Sequence, residues 1–176
     1  MIYVPAEDSY LLEKKVKKYA KGKNVLDIGS GSGIQAIAAL ESGASGVLAV
    51  DLDREAVKEL GKKGINALKS DLFSNVKDKF DLIIFNPPYL PHDSQEDSES
   101  SRITSGGERG DEIILRFLED VSKYLAEDGV ILIVLSSLTP RKRILKILRE
   151  KGFRKEIVSK KKLFMEKLEV WKIWVG

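Results

Sequence analysis

Val25-Leu26-Asp27-Ile28-Gly29-Ser30-Gly31-Ser32-Gly33 runs from an apolar strand into a glycine-rich turn, and the helical pattern of Ile34 to Glu41 follows at once. Glycines permit the tight turn and let a ligand approach the backbone closely, at the place where a parallel α/β sheet puts its binding crevice. The third glycine stands at Gly33, one position earlier than the G-x-G-x-x-G dinucleotide spacing requires, and Asp27 precedes Gly29 by two residues. A carboxylate in that position repels a pyrophosphate and favours an ammonium group.

Outward from this turn, short β-branched runs alternate with helical patterns, the signature of βαβ units building a mostly parallel sheet. Strands are expected at Val25 to Ile28, Val47 to Asp51, Ile65 to Ser70, Leu82 to Phe85 and Val130 to Ser136. Helices are expected at Ile34 to Glu41, Arg54 to Lys63, Glu112 to Tyr124 and Arg141 to Lys151, closed by Gly43, Gly64, Gly129 and Gly152. The tail differs. Arg154 to Val158 and Leu168 to Val175 are strand-like but separated only by a short basic stretch, so they pair antiparallel as a hairpin. Trp171 and Trp174 on its last strand read as packing residues. Residues 1–22 form a helical lead-in opened by Pro5-Ala6-Glu7-Asp8-Ser9. The expectation is a single α/β domain over 1–176, a doubly wound, Rossmann-like, seven-stranded mostly parallel sheet ending in an antiparallel hairpin.

Composition narrows the chemistry. With 43% hydrophobic and 32% charged residues the chain reads as globular, and its longest apolar run, Val130 to Leu135, is only strand length. The N-terminus lacks the pattern of a secretory signal, so the expected location is the cytoplasm, with no membrane contact. Zero cysteines exclude disulfides and thiolate chemistry, and the single histidine, His92 in a polar stretch, leaves no expected metal site. A net charge of +3 is too small to announce a nucleic-acid footprint, and Arg141-Lys142-Arg143 and Lys160-Lys161-Lys162 read first as solvated faces.

Two further acidic residues close strands. Asp51, before Leu52, stands where an acidic side chain takes ribose hydroxyls; Asp71 is placed to accept from an adenine amine while Leu72 packs on the ring. The expected ligand carries a cation, a ribose and an adenine but no phosphates, a description that S-adenosylmethionine fits. The structural alternatives are that Asp51 caps the helix starting near Asp53 and that Asp71 anchors a turn.

Phe85-Asn86-Pro87-Pro88-Tyr89 ends the fourth strand. Asn86 brings a side-chain carbonyl, Pro87 a backbone carbonyl and Tyr89 a flat face, a set suited to a planar NH2 group. Such a nitrogen attacks poorly because its lone pair is delocalised. Two acceptors gripping both N–H bonds orient it and stabilise the charge it develops. The bland alternative is a strand simply broken by Asn-Pro-Pro. Residues 90–110, polar and acidic around Asp93 to Glu99 and then rich in Gly106, Gly107 and Gly110, are expected to form an active-site loop, either a flap over the substrate or a solvated segment.

Taken together, these motifs resemble the class I S-adenosylmethionine-dependent methyltransferases, and Asn86-Pro87-Pro88-Tyr89 resembles the motif of their amino-methyltransferase branch. Within it the chain is most similar to the short archaeal and eukaryotic type of the HemK-type release-factor glutamine methyltransferases, on Tyr3, Pro5 to Ser9, Leu11-Leu12, the glycine turn, Asn86 to Tyr89, Gly106-Gly107, Arg109-Gly110 and Glu169. The resemblance implies N5-methylation of the glutamine in a release factor's Gly-Gly-Gln loop, with S-adenosylhomocysteine as product. It implies a catalytic set of Asn86, Pro87, Pro88 and Tyr89. The cofactor would be held by Ser9, Asp27, Gly29, Ser30, Gly31, Gly33, Asp51, Leu52, Asp71, Leu72 and Asn86. It also implies a small zinc-binding activator on the edge strand 65–70. Two alternatives stay open at this point: an N6-adenine or N4-cytosine methyltransferase acting on DNA or RNA, which the acidic stretch beside the site disfavours, and a catalytically silent binding module.

Overall fold

Strands β1 (Asn24–Ile28), β2 (Gly46–Asp51), β3 (Ala67–Lys69), β4 (Phe80–Phe85) and β5 (Leu125–Ser136) run parallel, and β6 (Phe153–Leu163) and β7 (Glu166–Val175) complete the sheet as an antiparallel pair. The order across this seven-stranded sheet is β3-β2-β1-β4-β5-β7-β6. The computed structural model describes residues 4–88 and 109–176; Tyr3, Tyr89, His92, Gly106, Gly107 and the remainder of the expected loop lie outside them.

Helices α1 (Glu7–Tyr19), α2 (Ile34–Glu41) and α3 (Arg54–Lys62) cover one face, and α4 (Glu112–Asp120) and α5 (Lys142–Glu150) the other. Alternation along the strands sorts the core. Leu26, Ile28, Ile83, Phe85, Ile133 and Trp171 face α4 and α5, whereas Val25, Ala49, Leu82, Ile84, Val134 and Val170 face α1 and α2. Chain order reverses between β1 and β4, so a crevice opens at their carboxyl ends.

The structure corrects several expectations. β3 is only Ala67–Lys69, because Ile65 turns inward onto the core instead of joining the strand. Gly129 closes no helix: α4 tightens into a 3-10 turn over Val121–Lys123, Tyr124 caps it, and β5 starts at Leu125. Gly129 sits inside β5 beside a pairing irregularity, where a Cβ would come 2.8 Å from the Ala126 carbonyl. Gly43, Gly64 and Gly152 do take left-handed φ values just past helix ends. The largest departure is the hairpin. The basic stretch Lys160 to Lys162 is strand, paired with Lys167, Leu168 and Glu169 after a bulge near Ile157 and Ser159. Lysines suit it because β6 is an edge.

Gly33 combines a φ of +84° with a Cβ position only 2.3 Å from Leu60 Cδ2. Gly33→Ala is therefore expected to cost about 1–3 kcal/mol, read as a drop of several degrees in the thermal midpoint.

Candidate active site

Phe85 is the last residue of β4, and its ring is pinned against Phe117 of α4 at 4.6 Å between centroids. That packing fixes the strand end, and Asn86 follows it directly toward α1. There the Asn86 Nδ2 donates to Asp8 Oδ2 at 3.1 Å, while Asp8 Oδ1 accepts from the Ser9 backbone N–H at 2.7 Å and from the Ser9 hydroxyl at 3.3 Å. Asp8 is buried in the first turn of α1, where the helix dipole favours a carboxylate.

The consequence is directional. Because a carboxylate only accepts, it decides which end of the Asn86 amide faces it. The other end, Oδ1, is buried and has no hydrogen-bond partner among the described residues. A buried acceptor left unmatched is costly unless something else is meant to donate to it. Two other buried side-chain atoms lack a partner among the described residues, the acceptor Gln35 Oε1 and the donor Arg141 Nη2. Gln35 lies in the first turn of α2, Arg141 precedes α5, and both follow strand ends on the crevice side.

Asp8→Ala is expected to lower turnover by about 10²-fold, since misplacing a reacting group by an ångström costs that much. Steady-state kinetics well below the variant's thermal midpoint would check it, since the loss of three hydrogen bonds to the buried Asp8 also lowers stability.

The glycine turn is built by Gly29, Gly31 and Gly33, all at positive φ. Ser30 lies buried beneath it, donating its hydroxyl to the Asp27 carbonyl at 2.8 Å. Asp27 is fully buried; its Oδ2 accepts from the Ala36 N–H at 3.1 Å. Burial pushes its carboxyl up to about 7, against the hydrogen bonds from Ala36 and Ser30 that pull it down.

Asp51 accepts from Gly31 N–H with Oδ2 and from Asp53 N–H with Oδ1, both at 2.8 Å, which ties the end of β2 to the turn and leaves each oxygen with capacity to accept again. The helix cap that was the structural alternative for Asp51 is made by Asp53, whose Oδ1 takes the Glu55 N–H at 2.9 Å. Leu52 beside it is exposed. Asp71 pairs with Arg116 of α4 at 2.9 Å, and its backbone closes a turn with Ser74. Leu72, at φ 49°, packs on the core edge. Ser9, half of a capping box with the Ala6 N–H, is buried, and its carbonyl accepts from Gln35 Nε2 at 2.9 Å.

Thus Asp27, Asp51, Asp71 and Asn86 line successive carboxyl ends of β1, β2, β3 and β4, joined by Ser9 and the glycine turn. Pro87 is buried and Pro88 half-buried directly after Asn86. Acceptors dominate, which suits a cationic, hydroxyl-bearing ligand and not a phosphate. No group of three or more His, Cys, Asp or Glu among the described residues is arranged to hold a metal ion.

Sequence reasoning gave no role to Asp8, Gln35 or the Glu169 cluster, and it read Arg141 as part of a solvated face, whereas Arg141 is partly buried against Glu169 and Trp171. Glu169, buried on β7, takes Arg141 Nη1, Lys167 Nζ and Trp171 Nε1, each at 2.9 Å. Burial alone would raise its carboxyl; these three donors overcome that and hold it at about 2. A second clamp, Asp111 with Arg143, fixes the start of α4 to α5. The signals available in advance were the family resemblance over Pro5 to Ser9, which includes Asp8, and at Glu169.

The model of the methyltransferase small domain family matches residues 7–165. The chain is 41% identical over 181 residues to a Methanocaldococcus jannaschii protein to which N5-glutamine methyltransferase activity has been attributed, covering 98% of this chain and 91% of that one. It is 29% identical over 206 residues to the eRF1 methyltransferase catalytic subunit mtq2 of Schizosaccharomyces pombe, covering 98% and 89%. Among solved structures, the Mtq2-Trm112 complex of E. cuniculi, which methylates the eRF1 termination factor, matches with a TM-score of 0.81 and 26% identity over 99% of both chains.

Proposed function

Since the chain belongs to the methyltransferase small domain family, we propose that it methylates N5 of a glutamine in a class 1 release factor, with S-adenosylmethionine as donor. The observation that carries this reading is the Asn86 Oδ1, a buried acceptor with no partner among the described residues, oriented by Asp8.

Asn86 Oδ1 accepts one N–H of the glutamine amide and the Pro87 carbonyl accepts the other, with Pro88 stiffening the turn. Gripping both hydrogens turns the nitrogen lone pair toward the donor and stabilises the positive charge that forms on it. Tyr89, outside the described residues, is proposed from the motif to pack against the amide plane. S-adenosylmethionine, when bound, supplies an electrophilic methyl group on a sulfonium. Asp27 faces its ammonium, Asp51 its ribose hydroxyls, and Asp71 and Leu72 its adenine, beside Leu52, Ser9 and the turn Gly29-Ser30-Gly31 closed by Gly33. The nitrogen gives up its proton to water after transfer, when it is acidic, so no strong base is needed.

The sheet's short outer strand β3 (Ala67–Lys69), with Leu68 exposed, is the proposed seat of a small zinc-binding activator that adds a strand to the sheet. The E. cuniculi relative is itself a two-protein complex. Full activity of the purified chain alone would remove the activator. The proposed place of action is the cytoplasm; no helix among the described residues is long and apolar enough to cross a membrane.

The test is incubation with methyl-labelled donor and two release factors, one with the target glutamine replaced. Label enters only the unaltered protein if the reading holds. Label in nucleic acid, with none in the release factor, overturns it.

A further inference from the structure

Every glutamine presents the same amide to Asn86, so discrimination among glutamines has to come from contacts outside the crevice. The structure offers a surface for this. In the β5–β7 pairing Ser136 lies opposite Leu168, so the hairpin residues before Leu168 project past the end of β5, on the crevice side. At their tip Phe164 is 92% and Met165 84% exposed, and Leu138, in the adjoining turn, is 50% exposed.

The turn chemistry is unusual. A two-residue hairpin turn favours Asn-Gly or similar residues, yet here it is Phe164-Met165, with Met165 at a left-handed φ of 59°. Two large apolar side chains placed against local preference, with nothing beneath them, point to a role in contact with another molecule. The tip is also held rigidly. Ser137 N–H donates to the Lys167 carbonyl at 2.8 Å, Lys167 N–H to Ser137 Oγ at 2.9 Å, and Ser136 Oγ to Glu166 Oε1 at 2.6 Å. Lys161 bridges to Glu7, the neighbour of the Asp8 that orients Asn86.

Charge selects the partner. Lys161 is paired with Glu7 and Lys167 shares Glu169 with Arg141, while Lys160 and Lys162 have no ion pair among the described residues and outweigh the single carboxylate of Glu166, which accepts from Ser136. We propose that Phe164, Met165 and Leu138, collared by Lys160 and Lys162, form the docking surface for the methyl-accepting protein, which meets it with an apolar side chain inside an acidic patch beside the target glutamine. This rests on the function proposed above. The tip lies at the opposite side of the sheet from β3, so activator and substrate are held at the same time.

The experiment is steady-state methylation of a class 1 release factor by the active enzyme, with its activator if one is required. It compares the wild type with Phe164→Ser/Met165→Ser and Lys160→Glu/Lys162→Glu. The expected result is a KM for the release factor raised about tenfold or more, as for loss of a contact hot spot, with kcat, S-adenosylmethionine affinity and melting temperature unchanged. An unchanged KM overturns the docking surface while leaving the proposed function intact. So does a loss of binding to an RNA oligonucleotide with the release-factor KM unmoved, which would assign the tip to nucleic acid. A wild type that neither methylates nor binds the release factor removes the function and this inference together.

Discussion

Asn86→Ala is expected to lower kcat for methyl transfer by roughly 10²–10³-fold, the usual cost of deleting one preorganised polar group facing a developing charge. The S-adenosylmethionine dissociation constant should rise far less than kcat falls, because Asn86 is one cofactor contact among several and Asp27, Asp51 and Asp71 at the ends of β1, β2 and β3 are untouched. The reason lies in the division of the amide: Nδ2 is committed to Asp8 at 3.1 Å, and only Oδ1 remains to accept from a substrate. Asn86→Asp should be about as damaging although it keeps both an acceptor and the side chain's size. It sets a second carboxylate against Asp8, so one of the two must bind a proton or swing away. If Asn86 and Asp8 act as one unit, the Asp8→Ala/Asn86→Ala double variant will be no slower than Asn86→Ala alone. A near-normal rate for Asn86→Ala would remove the mechanism.

Asp27→Asn is expected to trade cofactor affinity for stability. The Asp27 carboxyl, pushed by burial up to about 7, keeps its proton in the folded protein over a range where the unfolded chain, near 3.8, has already lost it. Folding stability contributed by this group is therefore greatest below the unfolded value and falls as pH rises from about 4 to about 7. Asparagine carries no such cost and can still accept from the Ala36 N–H. The variant should match the wild type near pH 4 and exceed it by up to a few kcal/mol at pH 8, measured by urea unfolding at both pH values.

Cofactor binding should respond in the opposite sense. An ammonium beside Asp27 favours the ionised carboxylate, so binding to the wild type expels a proton and tightens as pH rises toward 7. Titration calorimetry in buffers of different ionisation heat would show that proton release in the wild type and its absence in Asp27→Asn, together with weaker binding. Equal affinity and equal proton release in both proteins would take the ammonium away from Asp27.

Much of the architecture was legible in the chain itself. The alternation of β-branched runs with helical patterns, and a tail too short for a crossover helix, specify a parallel sheet with an antiparallel end, since a strand's period and a connection's length are local properties. The glycine turn and the acidic strand ends were legible for the same reason: each is a short motif whose meaning depends on its neighbours in sequence. What only the tertiary structure decided are the pairings between residues far apart in the chain. Asp8 and Asn86 meet across 78 positions, Asp71 and Arg116 across 45, and Arg141 and Glu169 across 28. The orphaned Asn86 oxygen, the upward shift of the Asp27 carboxyl and the exposed hairpin tip likewise follow from burial, which no single stretch of sequence carries. Hydrogen-bond direction and desolvation are set by what surrounds a group, and that exists only once the sheet has assembled.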